Sequence, residues 1–316
     1  MAVVGEEHLA RADPAPGRGQ GPAAARAVDG GDGGVFPDPH PAGAQTLPEA
    51  AHKARGLQHH RAGGVKARQV MAAARHLGHR LRVKDLVRLA QTGEPHPTNT
   101  RAKCAETAKK FAAHQMIFGI EQEYTMMRID GTPFGFPAGG GMPAPQGPYY
   151  CGVGAGRVVG RQIIEEHTQA CIDAGLLISG TNAEVMPGQW EFQIGPGNAL
   201  EVSDHMHVAR WLLHRIAEDY DVVISFDAKP MKGDWNGAGA HTNFSTRAMR
   251  EGYDAIIDAC EKLGTRVMEH VENYGDDIQS RLTGKHETAP WNQYSYGVSN
   301  RGASVRIPWQ VARDRR

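Results

Sequence analysis

The composition of the chain changes abruptly near residue 98, and this break limits what the first third can fold into. Between Met1 and Thr98 the sequence has no Ile, Tyr, Trp, Cys, Ser or Asn, and Phe36 is its one Phe. A segment dominated by Ala, Gly, Arg, Pro and His cannot bury enough apolar surface to offset the entropy lost on ordering. We therefore expect residues 1 to about 60 to be largely disordered. We treat residues 1–95 as a low-complexity segment and residues 96–316 as the folded domain.

Within the low-complexity segment, only the stretch from Val65 to Leu89 has apolar residues at helical spacing. We interpret it as a marginal Ala-rich helix, and a basic helix that binds a partner is the alternative. The pairs His59/His60 and His76/His79 have spacings that metals accept. Because no Cys, Asp or Glu is placed to complete a ligand set, we expect no metal there.

The overall charge excludes several classes of protein. Thirty-five basic and 35 acidic residues cancel, with a pI near 7.3, so no net field recruits nucleic acid or an anionic membrane surface. The sequence contains no apolar stretch of about 18 residues, and its start does not resemble a secretory signal. Four widely separated cysteines are typical of reduced thiols. We expect a cytoplasmic protein without nucleic-acid or membrane partners.

From Lys103 onward, hydrophobic periodicity predicts an α+β domain with a mostly antiparallel sheet flanked by helices. Helices are expected over 158–174, ending at Gly175, then after an N-cap at Ser203 or Asp204, and over 247–272. The strands are expected at 117–127, 176–179, 183–186, 189–194, 222–226 and 298–307.

Two groups of acidic residues lie in predicted strands. Residues two apart on a strand face the same way, so Glu121 and Glu123 should leave one face of the sheet together. Such a pair is either a solvated face or a cation site. Pro187-Gly188 marks a tight turn, across which Glu184 and Glu191 could meet among apolar neighbours.

Two further motifs carry polar chemistry. In Asn236-Gly-Ala-Gly-Ala-His241, the glycines would let backbone amides approach an anion, while His241 is either a metal ligand or a structural histidine. Arg301 and Arg306 stand five residues apart, so a bend is needed before both can reach one anionic ligand. The Gly-rich run Gly152-Val-Gly-Ala-Gly156 does not fit a dinucleotide fingerprint, because prolines occupy the place of the required strand.

Together these motifs resemble glutamine synthetase of the type II, eukaryote-like class. The resemblance rests on Phe-Gly-Ile-Glu-Gln-Glu-Tyr-Thr, Pro-Gln-Gly-Pro-Tyr-Tyr-Cys-Gly-Val-Gly, Gly-Thr-Asn-Ala-Glu-Val-Met-Pro, Asn-Gly-Ala-Gly-Ala-His-Thr-Asn-Phe-Ser-Thr and Asn-Arg-Gly-Ala-Ser-Val-Arg-Ile-Pro, in that order. It begins near His96 and covers about two thirds of the chain.

The resemblance implies that ATP, L-glutamate and ammonium are the substrates, that γ-glutamyl phosphate is the intermediate and that glutamine is the product. It also implies a homo-oligomeric ring and two or more Mg²⁺ or Mn²⁺ ions per site. One ion would lie among Glu123, Glu184 and Glu191, and the other between Glu121 and His241. Asn236 and Gly237 would bind glutamate, Glu287 would be the flap acid, and Arg281, Arg301 and Arg306 would neutralise anionic charge. The ATP site would comprise Gln193, Ile194, Gly195, Pro196, Asn243, Phe244, Ser245 and Arg306.

The chain departs from the family pattern at both ends. No β-grasp domain is recognisable before residue 98, and no Glu-Asp-Arg-Arg segment follows Arg306-Ile-Pro. The composition of residues 1–95 suggests a GC-rich gene read out of frame. The alternative function is therefore a catalytically impaired fragment that binds nucleotide or co-assembles with intact subunits.

Overall fold

A computed structural model describes residues 2–4, 93–137, 139, 141–143 and 145–315. These residues belong to one compact unit, Met1–Glu6 with Ala62–Arg316, and the other unit, Glu7–Arg61, lies outside the described residues. The predicted helix over 65–89 and the paired histidines before residue 80 also lie outside them. Most of residues 1–60, which we expected to be disordered, also lie outside the described residues. The described part of that stretch is Ala2–Val4, which form a strand.

Eight strands of the described residues form one sheet, in the order β3-β4-β2-β6-β1-β8-β7, with β5 also paired to β2. The strands are β1 (Ala2–Val4), β2 (Ile117–Arg128), β3 (Ile178–Ala183), β4 (Gln189–Gly197), β5 (Val222–Ser225), β6 (Ala240–Ser245), β7 (Tyr296–Val298) and β8 (Val305–Ile307). The pairings among β2 to β6 are antiparallel, whereas β1 runs parallel to β6 and β8, and β7 runs parallel to β8. The mostly antiparallel α+β fold is confirmed.

Strand β2 is the centre of the arrangement, because it pairs with β4 on one side and with both β6 and β5 on the other. Its alternate residues Tyr124 and Met126 are fully buried and belong to the main core, together with Phe192 and Ile194 of β4. Leu212 and other apolar residues of the helix after β4 complete this core. One face of the central strands is therefore committed to packing, which leaves the other face for polar side chains.

Eight α-helices lie within the described part of the chain. They are α1 (Thr100–Lys110), α2 (Arg161–Asp173), α3 (Ala199–Glu218), α4 (Arg247–Glu251), α5 (Tyr253–Gly264), α6 (Val267–Val271), α7 (Ile278–Arg281) and α8 (Trp309–Asp314). Gly175 follows α2 with φ of 74°, as predicted for a left-handed stop. In the part of the chain that the structure describes, no helix is both long and apolar enough to cross a membrane.

The predicted start of α3 was wrong. The helix begins four residues before Ser203, because the Asn198 side chain accepts hydrogen bonds from the amides of Leu200 and Glu201 and so caps it. Asp204 instead forms a bidentate ion pair with Arg101 of α1, at 2.7 and 2.8 Å.

The single helix predicted over 247–272 is three helices, α4, α5 and α6. Gly252 is extended, with φ of −165° and ψ of 141°, and this interrupts the helical backbone between α4 and α5. A second interruption at Arg266 separates α5 from α6. Apolar periodicity continues across such breaks, so it did not reveal them.

The strands predicted at 176–179 and 183–186 were also wrong in their bounds. One strand, β3, occupies the middle of that stretch, and a turn centred on Pro187-Gly188 joins it to β4. The segment predicted as extended over 298–307 is two short strands with a bend over 299–304 between them. The described chain has four free cysteines, as expected.

Gly188 has a close contact that explains its place in this turn. Its φ is 75°, and a Cβ there would overlap the carbonyl oxygen of Phe134.

We predict that Gly188→Ala lowers the free energy of unfolding by about 3 kcal/mol or more, since backbone strain and steric overlap add. Gly175→Ala is the matched control, because its φ is 74° and no atom lies within 4 Å of its added Cβ. Gly175→Ala should lower the free energy of unfolding by about 1 kcal/mol. Urea unfolding measures both variants, and an equal loss of stability in the two would contradict the role of the contact with Phe134.

Candidate active site

The register of the central strands brings acidic residues from distant parts of the sequence together. Glu121 of β2 lies opposite His241 of β6, and Glu123 lies opposite Glu191 of β4. Because residues two apart share a face, these side chains project from the side of the sheet away from the main core. The predicted common direction of Glu121 and Glu123 is confirmed.

Three carboxylates converge at one point of this face. Glu123, Glu184 and Glu191 each place an oxygen within 4.8 Å of the others. Glu184 comes from the turn after β3, where its amide donates to the carbonyl of Gln189 at 2.9 Å. The predicted meeting of Glu184 and Glu191 across the turn is confirmed, although Glu184 itself lies beyond the end of the strand.

Each of these carboxylates also accepts a hydrogen bond from the protein. Gly239 donates its amide to Glu123 Oε2 at 2.6 Å. The side-chain amide of Asn182 donates to Glu184 Oε1 at 2.8 Å, and that of Gln193 donates to Glu191 Oε1 at 3.0 Å. These bonds hold the carboxylates in fixed orientations.

The cluster is electrostatically unfavourable without a cation. Burial, together with the negative charges of Glu123 and Glu191, raises the pKa of Glu184 to about 8. Burial also raises the pKa of Glu191 to about 7, against the opposing hydrogen bond from Gln193. The two buried carboxyl groups therefore hold protons at a pH at which ordinary glutamates have lost them.

Glu121 and His241 form a second group beside the cluster. The imidazole Nδ1 lies 3.2 Å from Glu121 Oε2, while Asn243 donates to Glu121 Oε1 at 2.8 Å. Although burial alone would raise it, the hydrogen bonds from His241 and Asn243 and the positive charge of Arg306 lower the pKa of Glu121. Among the described residues, the buried Nε2 of His241 has no hydrogen-bond partner. With Nδ1–H donated to the carboxylate, Nε2 presents a lone pair that suits a metal ion.

The donor set fits hard divalent cations. Carboxylate oxygens are the preferred ligands of Mg²⁺ and Mn²⁺, and converging like charges favour an ion between them. The orphaned nitrogen of His241 provides a further ligand at the second group. The residues predicted to hold two ions are thus assembled as two adjacent groups on one sheet face.

The glycines of the loop before β6 make room for Arg281. A Cβ at Gly239 would lie 2.5 Å from the guanidinium carbon of Arg281, and one at Gly237 would lie 2.7 Å from its Cγ. Arg281 in turn reaches Glu123 Oε2 at 3.1 Å. We expected this loop to approach an anionic ligand, and the anion that the Gly239 amide binds in the protein is Glu123.

The C-terminal arginines lie around the same cleft. Arg301 pairs with Glu287 at 2.6 Å, and its guanidinium lies over the ring of Tyr150 at 5.7 Å. The positive charge of Arg306, on β8, lowers the pKa of Glu121 and opposes the rise in the pKa of Glu191. The bend between β7 and β8 is the one that the spacing of Arg301 and Arg306 required.

These side chains line a cleft of about 1220 Å³. Its walls include the predicted residues Glu121, Glu123, Glu184, Glu191, Gln193, Asn236, Gly237, His241, Phe244, Arg281, Glu287, Arg301 and Arg306.

Five residues predicted for the ATP site do not line this cleft. Ile194 is fully buried in the main core, because strand alternation turns it away from Gln193. Ser245 is buried and accepts a hydrogen bond from Arg250, and Asn243 donates a hydrogen bond to Glu121. Gly195 donates its amide to the carbonyl of Leu177, and Pro196 is exposed.

Sequence reasoning missed Tyr150, which lines the cleft, and two glutamines that form hydrogen bonds with the Gly-rich loop beside it. Gln189 donates from its side chain to the carbonyl of Gly237 at 2.8 Å, which ties the start of β4 to the Gly-rich loop. Gln146 accepts from the amide of Asn236 at 2.8 Å. The one available signal was that Gln146 and Tyr150 lie in the conspicuous run Pro-Gln-Gly-Pro-Tyr-Tyr.

Comparison with known proteins gives a consistent result. Residues 98–316 match the family model described as glutamine synthetase, catalytic domain. A protein named glutamine synthetase from Streptomyces viridochromogenes is 68% identical over 222 residues, which is 70% of this chain and 64% of that protein. One of the same name from Emericella nidulans is 53% identical over 224 residues, covering 70% of this chain and 62% of that protein.

Among solved structures, one described as apo GmaS without ligand aligns with a TM-score of 0.42 and 23% identity, over 49% of this chain and 36% of that one. The chain spans less than two thirds of the length of the curated relatives named above.

The raised pKa values predict how stability depends on pH. A carboxyl group whose pKa is higher in the folded than in the unfolded state stabilises the fold while it is protonated. Its contribution to stability is lost as the pH rises through its pKa in the folded state. We expect the metal-free protein to become less stable as the pH rises from 5 to 8. The free energy of unfolding should fall by roughly 3 kcal/mol, and the melting temperature should fall with it. Added Mg²⁺ should raise the melting temperature more at pH 8 than at pH 5, since protons compete with the ion.

Differential scanning fluorimetry across this pH range measures both effects. Glu184→Gln removes one titrating group and should flatten the decline, whereas Glu251→Gln on exposed α4 should leave it unchanged. An unaltered slope in Glu184→Gln would show that the acidic cluster is not its source.

Proposed function

The chain belongs to the glutamine synthetase catalytic-domain family, and from this premise we propose that it catalyses the ATP-dependent ligation of ammonia to the γ-carboxylate of L-glutamate. In this reaction a γ-carboxylate oxygen attacks the terminal phosphorus of ATP, which gives γ-glutamyl phosphate and ADP. Ammonia then attacks the acyl carbon, and phosphate leaves as glutamine forms. The named relatives and the chemistry of the cleft support the proposal.

One observation carries it: Glu123 and Glu191 face each other across neighbouring strands with Glu184 beside them. Like charges placed directly opposite on a sheet destabilise it, so this close placement of three carboxylates points to a bound cation. Phosphoryl transfer depends mainly on positioned positive charge around the phosphate oxygens. Two divalent ions, Mg²⁺ or Mn²⁺, would supply this charge when bound.

The chain's own residues would contribute binding and orientation. Arg281 is suited to an anionic substrate, because its Nε is buried and has no hydrogen-bond partner among the described residues. Asn236 and Gly237 lie on the same loop and would contact the glutamate. Arg306 and Gln193 would lie on the ATP side of the cleft.

Glu287 would serve near the acyl phosphate, where a carboxylate helps remove a proton from ammonium. In the protein it is paired with Arg301, and both side chains are about half exposed, at 59% and 50%. An exposed ion pair of this kind is worth little, so substrate can separate the two groups at small cost. Arg301 would then be available to a substrate anion.

We further propose a cytoplasmic, homo-oligomeric ring as the working assembly. The test is to purify the chain, determine its mass in solution and measure phosphate release that requires glutamate, ammonium, ATP and Mg²⁺ together. Turnover with a ring-sized mass is the expected result. ATP binding without turnover or assembly would overturn the proposal in favour of an impaired fragment that only binds nucleotide.

Glu191→Gln tests the role of the acidic cluster in turnover. The substitution keeps the size and the hydrogen bond to Gln193 while removing one ligand charge, so we expect at least a hundredfold loss of kcat, or about 3 kcal/mol. Steady-state phosphate release at saturating ATP measures it.

Glu251→Gln is the control, because Glu251 is an exposed residue of α4 whose side chain pairs with Arg247 on the same helix. It should retain full activity. Unchanged turnover in Glu191→Gln would refute the assignment of the cluster to the metal.

A further inference from the structure

The segment that carries Glu287 has an unusual backbone. His286 and Glu287 both have positive φ values, 54° and 60°, and neither is glycine. L-residues with side chains seldom adopt this left-handed conformation, and two in succession persist only when their surroundings hold them in place. The contacts of these two residues should therefore reveal what fixes the position of Glu287.

On one side, His286 is held by a group of hydrogen bonds centred on Gln146. The Gln146 Nε2 donates to His286 Nδ1 at 2.9 Å and to the carbonyl of Asp234 at 3.2 Å. His286 Nε2 lies 2.9 Å from Asp234 Oδ1. Gln146 Oε1 accepts from the amide of Asn236. We call these three side chains, Gln146, Asp234 and His286, the Gln146 clasp.

The hydrogen bonds of the clasp determine one another. Since Gln146 Oε1 must accept from the Asn236 amide, the nitrogen of the same side chain must point toward His286 and act as a donor. Nδ1 of His286 is then an acceptor, and Nε2 carries the hydrogen that is donated to Asp234. Every donor in this arrangement has an acceptor, so His286 is fixed in one tautomer and one ring orientation.

The clasp joins two parts of the candidate site. One is the loop that carries Asn236 and Gly237, the residues proposed to bind glutamate, and the other is the segment that carries Glu287. We propose that Gln146 and His286 are positioning residues, which hold Glu287 at a set place relative to the glutamate-binding loop. This inference rests on the proposed function, although the clasp itself can be tested without turnover.

Hydrogen–deuterium exchange of the full chain, read by mass spectrometry, provides that test. Gln146→Ala and His286→Ala should each speed exchange of the peptides covering 232–238 and 283–289 by at least threefold. Lys285→Ala is the control, because this exposed residue lies on the same segment outside the clasp. Unchanged exchange in both variants, or equal acceleration in the control, would overturn the clasp. If Gln146→Ala does not fold, His286→Ala on the outer segment decides alone.

A double-mutant cycle then tests the effect on catalysis. We expect His286→Ala to lower kcat by about tenfold and to raise KM for glutamate, while adding less than a twofold loss in a Glu287→Ala background. A full tenfold loss in both backgrounds would show that His286 does not act through Glu287. Absence of any ligase turnover in the unmodified chain would refute the proposed function and leave the exchange result valid.

Discussion

The repulsion among buried carboxylates is the constraint on which this structure depends. Glu123 and Glu191 are paired directly in the register of two neighbouring strands, and the turn after β3 adds Glu184. A sheet can keep this arrangement only if something offsets the charge, through bound protons at low pH or a cation at higher pH. Arg281 supplies part of that compensation by reaching Glu123, and the glycines of the neighbouring loop give it room.

The same alternation of side chains builds both the core and the site. Along β2 and β4, acidic residues face the cleft while Tyr124, Phe192 and Ile194 face the helices. Packing on the apolar face therefore fixes the register that brings the acids together, since a slip of one residue would exchange the two faces. Stability of the core and geometry of the site are linked through this register.

This link explains which features the sequence could predict. The spacing of Glu121 and Glu123 determines a shared direction on any strand, and Pro187-Gly188 marks a turn by its own backbone preferences. Five motifs in family order also identified the catalytic domain and the grouping of the metal-binding residues.

Other features depend on tertiary contacts that local patterns do not encode. Asp204 is a residue type that can cap a helix, but it lies inside α3, where it pairs with Arg101, and Asn198 is the N-cap residue. The break at Gly252 interrupts a continuous apolar pattern. The order of strands, including the parallel placement of Ala2–Val4 between β6 and β8, also came from the structure alone.

The hydrogen bonds to the acidic cluster have a consequence for coordination number. Glu123, Glu184 and Glu191 each have one oxygen engaged by a protein donor, so each is disposed to offer a single oxygen to an ion. Three monodentate carboxylates would fill only half of the roughly six positions that Mg²⁺ requires. The remaining positions would be open to water or to oxygens of a substrate. An ion held by this cluster would therefore keep exchangeable ligands on the side of the cleft.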